Sequence, residues 1–195
     1  MTGARIVVAD DESILRLDVR EMLTQAGYRV MAEANTGDLA VELAALHQPD
    51  LIVMDIKMPG MSGVKASRII QRAYGIPVLL LTAYSDMEFI QEAKRAGVVG
   101  YLVKPFTERD LIPAVEMGLA QRQRLAVLQS NIKELEGKIQ LQKKVQRAKG
   151  ILMEACRYSE AEATRRLQSY CMNRRKKLGE VADEIIKHGR PADMG

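Results

Sequence analysis

Five short apolar runs recur along the first 120 residues, and patterns typical of helices separate them. Because these runs lack polar alternation, they resemble strands that are buried on both faces of a parallel sheet. The predicted strands span residues 5–9, 28–34, 50–54, 76–81 and 98–103. Five such strands with intervening helices predict a flavodoxin-like, doubly wound α/β fold.

The patterns between these runs predict helices over residues 13–26, 36–47, 63–74 and 86–96, with a further helix beginning near Glu108. Apolar residues at helical spacing are expected to face the sheet. In the first two helices these are Ile14, Leu17 and Met22, followed by Leu39, Leu43 and Leu46.

From about residue 115 the pattern is long and helical, and no proline interrupts it between Pro113 and Pro191. Apolar residues spaced 3, 4, 3 and 4 apart form the a/d seam of a short coiled coil. The seam consists of Leu125, Leu128, Ile132, Leu135 and Ile139. The seam predicts a homodimer, and the alternative is packing against helices of the same chain.

Two more helical patterns close the chain and predict an all-α module of three helices. Ser159 and Glu162 have the spacing of a capping box, which begins a helix. The inner faces should contain Ala148, Ile151, Leu152 and Ala155, then Ala163, Leu167, Tyr170 and Cys171, then Leu178, Val181, Ala182, Ile185 and Ile186. We predict domains over 1–120 and 147–189, joined by a coiled-coil linker over 121–146, with a frayed tail over 190–195.

Charge divides the chain in the same way. Residues 1–120 carry 12 basic and 16 acidic residues, and residues 121–195 carry 17 and 9, which gives net charges of −4 and +8. A basic second half suggests a nucleic-acid partner. No apolar stretch is long enough to cross a membrane, and the two cysteines, Cys156 and Cys171, suit reduced thiols. We therefore expect a cytoplasmic protein.

Polar side chains stand where four of the predicted strands end. Asp10 and Asp11 follow the first strand, Asp55 the third, Thr82 the fourth and Lys104 the fifth. Right-handed crossovers place these ends along one edge of the sheet. Three crowded carboxylates repel one another and require a cation, and their hard oxygens suit Mg²⁺. A single acid at the end of a strand would more often cap a helix. Because the polar residues at four strand ends suit the same chemistry, the sequence predicts transfer of a phosphoryl group to a carboxylate.

The same residues lie in motifs that resemble the receiver domain of two-component response regulators. The motifs are Asp10-Asp11-Glu12, Met54-Asp55-Ile56-Lys57-Met58-Pro59-Gly60-Met61-Ser62-Gly63, Thr82-Ala83-Tyr84 and Tyr101-Leu102-Val103-Lys104-Pro105-Phe106. The resemblance covers residues 1–118 and implies that Asp55 accepts a phosphoryl group from a histidine kinase. It also implies that Asp11, Asp55 and the backbone carbonyl of Lys57 bind Mg²⁺, with Asp10 acting through water.

The receiver resemblance implies roles for three further residues. Lys104 would pair with the phosphoryl group, and its bond to Pro105 would be cis. Thr82 and Tyr101 would form a switch pair, in which the hydroxyl moves toward the phosphate and the ring turns inward. Such a receiver catalyses only its own phosphorylation and dephosphorylation, so we expect a signalling switch and not an enzyme.

Residues 140–188 resemble the ANTAR domain, an RNA-binding module of transcription antitermination regulators. The motifs are Ala148-Lys149-Gly150-Ile151-Leu152-Met153, Ser159-Glu160-Ala161-Glu162-Ala163 and Met172-Asn173-Arg174-Arg175. Cys171 stands where the family usually has alanine, which is a change of one small residue for another. The resemblance implies binding to paired RNA stem-loops, which would prevent a terminator hairpin from forming.

Contacts between basic side chains and phosphates supply most of the affinity for a nucleic acid. We therefore predict that a positively charged surface binds the RNA. It consists of Lys149, Arg165, Arg166, Arg174, Arg175 and Lys176, with Lys177 adjacent. Tyr158 could stack on a loop base, whereas Tyr170 should pack in the core. The alternative function is a DNA-binding response regulator, although the links between these helices lack a clear helix-turn-helix signal. The second half contains no cluster of catalytic residues, which argues against an enzymatic output.

Overall fold

A computed structural model of the chain describes residues 3–83 and 97–189. The predicted helix over 86–96, Tyr84 of the Thr82-Ala83-Tyr84 motif and the predicted tail over 190–195 lie outside these residues. The described part forms two compact units, which divide between Ala126 and Val127. Within it, no helix combines the length and apolar character needed to cross a bilayer.

The first unit contains a five-stranded, entirely parallel sheet in the order β2-β1-β3-β4-β5. The strands are β1 (Arg5–Ala9), β2 (Arg29–Ala34), β3 (Leu51–Asp55), β4 (Val78–Thr82) and β5 (Gly100–Val103). Every residue of β3 and β4 is buried, as expected for the centre of a sheet covered on both faces. The predicted doubly wound α/β fold is confirmed.

Helices cover both faces of this sheet. The first three are α1 (Ser13–Gln25), α2 (Gly37–His47) and α3 (Gly63–Tyr74). Thr36 and Ser62 begin α2 and α3, because their hydroxyl oxygens accept hydrogen bonds from backbone amides in the first turn. Alternate residues of each strand pack on opposite sides, so that α2 and α3 share one core and α1 and the start of the next helix share the other.

The predicted inner faces of α1 and α2 are partly wrong. Ile14, Leu17 and Leu46 are 76%, 41% and 74% exposed. Val19 and Leu23 are buried from α1 instead, and α2 buries alanines (Ala40 and Ala44). In both helices more than one apolar stripe fits a helical period, and the stripe that meets the sheet is selected by packing.

A single helix, α4 (Glu108–Cys156), runs for 49 residues from the first unit into the second. This confirms the predicted long helix. The five residues of the predicted seam, from Leu125 to Ile139, are 45–58% exposed. A large part of each of these side chains is therefore uncovered within the described residues.

The second unit is completed by α5 (Glu160–Arg174) and α6 (Leu178–His188). Its core consists of Ala148, Leu152, Ala163, Leu167, Val181, Ala182 and Ile185. Ser159 and Glu162 form the predicted capping box at the start of α5. Ala155 and Leu178 were also predicted to face this core but are exposed. Ala155 is next to the last residue of α4, and Leu178 is the first residue of α6.

Candidate functional site

The ends of β1, β3, β4 and β5 bring four of the predicted site residues to one edge of the sheet. Asp10 and Thr82 are fully buried, and Asp55 is 6% exposed. Lys104 follows β5, and its backbone amide donates a 2.8 Å hydrogen bond to the carbonyl of Thr82. Asp11, by contrast, is exposed at the rim of this edge.

The ammonium group of Lys104 lies between two carboxylates. Its Nζ is 2.9 Å from Oδ2 of Asp10 and 2.5 Å from Oδ1 of Asp55. The Lys104–Pro105 peptide bond is cis, as the receiver resemblance implied. Because this lysine is only 18% exposed, its charge acts on the acids with little screening by water.

Burial and pairing shift the pKa values of two of these groups. Burial raises the pKa of Asp55, although the hydrogen bond and the charge of Lys104 oppose it. Burial also acts to lower the pKa of Lys104, but its hydrogen bonds to Asp55 and Asp10 outweigh this and raise the pKa. Lys104 is therefore a cation throughout the physiological range and compensates negative charge at this edge.

Backbone groups hold the two buried carboxylates in place. The amide of Lys57 donates a 2.7 Å hydrogen bond to Oδ2 of Asp55, and the amide of Glu12 donates a 2.9 Å bond to Oδ1 of Asp10. Gly63, at the start of α3, lies so close that a Cβ there would be 1.9 Å from the backbone oxygen of Asp55. This edge therefore requires glycine at position 63, a constraint that the sequence showed only as part of a motif.

The predicted Mg²⁺ ligands are suitable oxygen donors but do not form a complete side-chain cage. In residues 3–83 and 97–189, no three metal-binding side chains group closely enough to hold an ion alone. Asp11 and Lys57 nevertheless line one open cleft, together with Met58, Pro59 and Gly60. Mg²⁺ usually keeps several waters and uses one or two carboxylates. A cleft with hard oxygens and room for water therefore fits this ion.

The predicted switch residues are on neighbouring strands. The Thr82 hydroxyl donates a 3.0 Å hydrogen bond to the carbonyl of Ala83. Tyr101, on β5, is 42% exposed. The described geometry places the hydroxyl in a buried position beside the acids and the ring in an outward one.

Two residues at this edge were missed by the sequence interpretation. Arg16 of α1 donates a 2.6 Å hydrogen bond to the backbone carbonyl of Asp10, and its Nε donates to Glu33 on β2. The sequence carries no local signal for this contact, because Arg16 and Glu33 are 17 residues apart and meet only when β2 pairs with β1.

The predicted RNA-binding residues differ in how available they are. Arg165, Arg166, Arg174 and Arg175 are exposed. Lys149, in contrast, has a side chain only 16% exposed and lies 3.7 Å from a carboxylate oxygen of Glu160. Lys176 forms an ion pair with Glu184 of α6. The arginines therefore present most of the accessible predicted surface.

Both tyrosines of interest are partly buried against the core of the second unit. The guanidinium of Arg166 lies 5.7 Å from the ring centre of Tyr158, and that of Arg174 lies 6.0 Å from the ring centre of Tyr170. These distances are within the range of cation–π contacts. They hold two of the predicted RNA-binding arginines against the module.

Comparisons with known proteins identify both halves of the chain. It matches the family described as the response regulator receiver domain over residues 6–116 and the ANTAR domain over residues 133–186. The transcriptional regulatory protein PdtaR of Mycobacterium tuberculosis (strain ATCC 25618 / H37Rv) is 38% identical over 190 residues, 97% of this chain and 93% of that protein.

Two further similarities concern the first unit alone. The chemotaxis protein CheY of Bacillus subtilis (strain 168) is 33% identical over 116 residues, 59% of this chain and 97% of CheY. The solved response regulator domain of Thermotoga maritima CheB has a TM-score of 0.55 at 28% identity and covers 63% of this chain and 97% of that chain.

The receiver match covers more than half of the chain, and the similarity to PdtaR covers almost all of it. Both agree with the five-stranded parallel sheet and the helical second unit. The chain is therefore a signalling protein that belongs to the two-component response regulators, with a receiver domain followed by an ANTAR domain.

Proposed function

We propose that this response regulator is phosphorylated on Asp55 by a partner histidine kinase, binds stem-loop RNA in nascent transcripts and acts as a transcription antiterminator. The observation that carries the proposal is the lysine held between Asp10 and Asp55, on the same chain as an ANTAR domain with exposed arginines. A protein that acts on nascent transcripts would work in the cytoplasm.

Each residue at the sheet edge has a defined part in phosphoryl transfer. An oxygen of the Asp55 carboxylate attacks the phosphorus and forms an acyl phosphate, while the kinase histidine leaves with the electron pair of its bond to phosphorus. Lys104 is placed to pair with the new phosphoryl oxygens. Mg²⁺, held by Asp11, Asp55 and the Lys57 carbonyl with Asp10 acting through water, would supply charge neutralisation and alignment.

The switch depends on the two residues beside the acids. The Thr82 hydroxyl now donates to a neighbouring carbonyl, and a phosphoryl oxygen on Asp55 would be a stronger, charged acceptor. A move of Thr82 toward that oxygen would leave space that the outward-facing Tyr101 ring can fill. Phosphorylation would thereby favour one of two conformations of the receiver, as in other population-shift switches.

The RNA-binding surface that we propose remains the predicted one, with arginines contributing most. Its members are Lys149, Arg165, Arg166, Arg174, Arg175 and Lys176. Guanidinium groups can donate two hydrogen bonds to a phosphate or a base edge and can stack on a base plane. Because the four arginines are exposed, whereas Lys149 is largely buried and Lys176 is only partly exposed, we expect the arginines to dominate affinity.

The exposed seam of α4 supports a homodimer. Its residues are Leu125, Leu128, Ile132, Leu135 and Ile139, and all of them are at least 45% exposed. The a positions of the heptads hold Leu, Ile and Ile, and the d positions hold Leu. This pattern favours a coiled coil of two parallel helices. Such a dimer would carry two RNA-binding modules and could hold two stem-loops at once, which raises the effective concentration of the second.

One experiment tests both halves of the proposal. Wild type and Asp55→Asn are titrated with an RNA that contains two stem-loops, with and without beryllofluoride and Mg²⁺. We expect beryllofluoride to tighten RNA binding by wild type only. As a matched control, Arg175→Gln should weaken binding, whereas Lys187→Gln, which removes a basic side chain outside the proposed surface, should not.

The possible outcomes separate the parts of the proposal. RNA binding that does not respond to beryllofluoride would refute coupling through Asp55. Preference for duplex DNA over the stem-loop RNA would favour a DNA-binding regulator. Analytical ultracentrifugation of Ile132→Asp tests the seam, because a buried charge at an a position should leave only monomers.

A further inference from the structure

The turn after β1 presents two consecutive carboxylates at one edge of the sheet. In a strand, successive side chains point to opposite faces, so Asp10 and Asp11 can both reach the edge only if the backbone turns between them. The amide of Asp10 still pairs with the sheet, because it donates a 3.1 Å hydrogen bond to the carbonyl of Ala34. β1 ends at Ala9 and the backbone bends at Asp11, immediately after the peptide that joins Asp10 to Asp11.

The carbonyl of this peptide accepts a hydrogen bond from a charged donor. Nη1 of Arg16 lies 2.6 Å from the Asp10 oxygen, and Nε of Arg16 lies 3.1 Å from Oε2 of Glu33. The Arg16 side chain is 19% exposed and that of Glu33 is 29% exposed. A guanidinium that is fixed at two points in a partly buried place holds the tilt of the peptide more firmly than a neutral donor would.

A neighbouring arginine shares the same acid but not the same carbonyl. Nη1 of Arg20 lies 3.0 Å from Oε1 of Glu33, and the Arg20 side chain is 44% exposed. In the described residues Arg20 makes no hydrogen bond to Asp10. The pair Arg16 and Arg20 therefore separates the effect of a positive charge near Glu33 from the effect of the bond to the Asp10 carbonyl.

We propose that Arg16, held by Glu33, is a positioning residue for the Mg²⁺ site of the receiver. This inference rests on the proposed function, because it assumes that Asp11 binds Mg²⁺ for phosphorylation of Asp55. Arg16 acts through the Asp10–Asp11 peptide, whose orientation aims the exposed Asp11 carboxylate at the cleft beside Lys57. Without Arg16 that carboxylate samples more orientations, and ordering it on metal binding costs free energy.

Charge and positioning predict opposite results for the loss of Arg16. If only its charge mattered, its removal would make the edge more negative and would tighten Mg²⁺ binding. If it positions the peptide, its removal weakens Mg²⁺ binding in spite of the more negative edge. Residues that orient metal ligands from behind typically change metal affinity by about tenfold or more when they are replaced.

The test measures metal binding directly in the full chain, without a phosphodonor. Mg²⁺ is titrated by calorimetry, and Mn²⁺ by electron paramagnetic resonance, into wild type, Arg16→Ala and Arg20→Ala. We expect about tenfold weaker binding for Arg16→Ala and unchanged binding for Arg20→Ala. Arg16→Lys, which keeps one donor for the carbonyl, should recover part of the affinity.

A kinetic measurement supports this comparison. With acetyl phosphate as donor, Arg16→Ala should need about tenfold more Mg²⁺ for half of its maximal rate, and its rate at saturating Mg²⁺ should remain near that of wild type. A merely structural role would lower the thermal stability and leave this Mg²⁺ requirement unchanged. If Arg16→Ala does not fold, Arg16→Lys and Glu33→Gln decide by the same titration, with weakened binding expected for both.

The outcomes distinguish this inference from the function on which it rests. Binding by Arg16→Ala that is as tight as wild type, or tighter, overturns the positioning role. Equal weakening in Arg16→Ala and Arg20→Ala also overturns it, because the bond to the Asp10 carbonyl would then be irrelevant. Failure of wild type itself to bind Mg²⁺ or to be phosphorylated refutes the proposed function instead.

Discussion

Replacement of Leu152 by alanine should unfold the second unit and leave the receiver intact. Leu152 is fully buried in a core that contains seven buried residues within the described part of the chain. Removal of its three outer carbons loses about 2.4 kcal/mol of transfer free energy, and the cavity left behind raises the cost to about 3 kcal/mol or more. A single core in a module of this size rarely supplies more than about 3–5 kcal/mol. Little or no stability should therefore remain in the second unit.

Amide hydrogen exchange in the full chain is the suitable assay, because it reports on each unit separately. A loss of about 3 kcal/mol corresponds to roughly a hundredfold loss of protection. We expect this loss in the amides of α5 and α6. The amides of β1 and β3 should exchange as in wild type, since they belong to the other compact unit.

The neighbouring residue provides the control for this prediction. Met153 is similar in size to Leu152 but is 38% exposed, so Met153→Ala should change protection of α5 and α6 far less. Unchanged protection in Leu152→Ala would refute the idea that this core holds the module together. An equal loss of protection in β1 and β3 would refute the independence of the two units.

Three further substitutions test other features of the fold. Gly63→Ala should destabilise the receiver by about 3 kcal/mol or more, because its Cβ would lie 1.9 Å from the Asp55 backbone oxygen. A urea midpoint that does not differ from that of wild type would contradict this prediction. Gly137→Ala should stabilise α4 by about 1 kcal/mol, since nothing lies within 4 Å of its Cβ position, and an unchanged or lower melting temperature would count against it. Hydrogen bonds from the Ser159 amide and hydroxyl lower the pKa of Glu162 from its ordinary value of 4.5. The resulting stabilisation is complete above that ordinary value and is lost as the pH falls through the lowered pKa, so Glu162→Gln should make the urea midpoint of the second unit less dependent on pH below 5. An identical pH dependence in wild type and variant would show that this capping bond contributes nothing.

The fold of the receiver could be predicted because its signals are local. Five short apolar strands with helices between them permit few parallel sheets. Chain order alone then places polar residues such as Asp10, Asp55 and Thr82 at one edge. The long helix could be predicted for a similar reason, because no proline interrupts its pattern between Pro113 and Pro191. Neither prediction depends on which helix packs against which strand.

What could not be predicted depends on contacts between distant parts of the chain. Ile14 and Leu46 were assigned to buried faces but are exposed, because helical periodicity identifies an apolar stripe without showing what covers it. The contact between Arg16 and Glu33 was missed for a related reason. It requires the register in which Glu33 of β2 lies beside Val8 of β1, and strand register is set by packing and not by either segment alone.

The same distinction governs how the basic charge of the second half should be understood. Its net charge of +8 counts every lysine equally, but three of them lie close to acids elsewhere in the module: Lys144 with Asp183, Lys149 with Glu160 and Lys176 with Glu184. A lysine that must leave such a partner to contact a phosphate gains less free energy than an uncommitted one. Each such pair is neutral and leaves the net charge of +8 unchanged, so this positive charge lies on the other basic side chains. Among these are the exposed arginines, whose planar groups can also recognise bases. In this module the lysines help to join the three helices, and specificity for RNA should depend on arginine geometry more than on total charge.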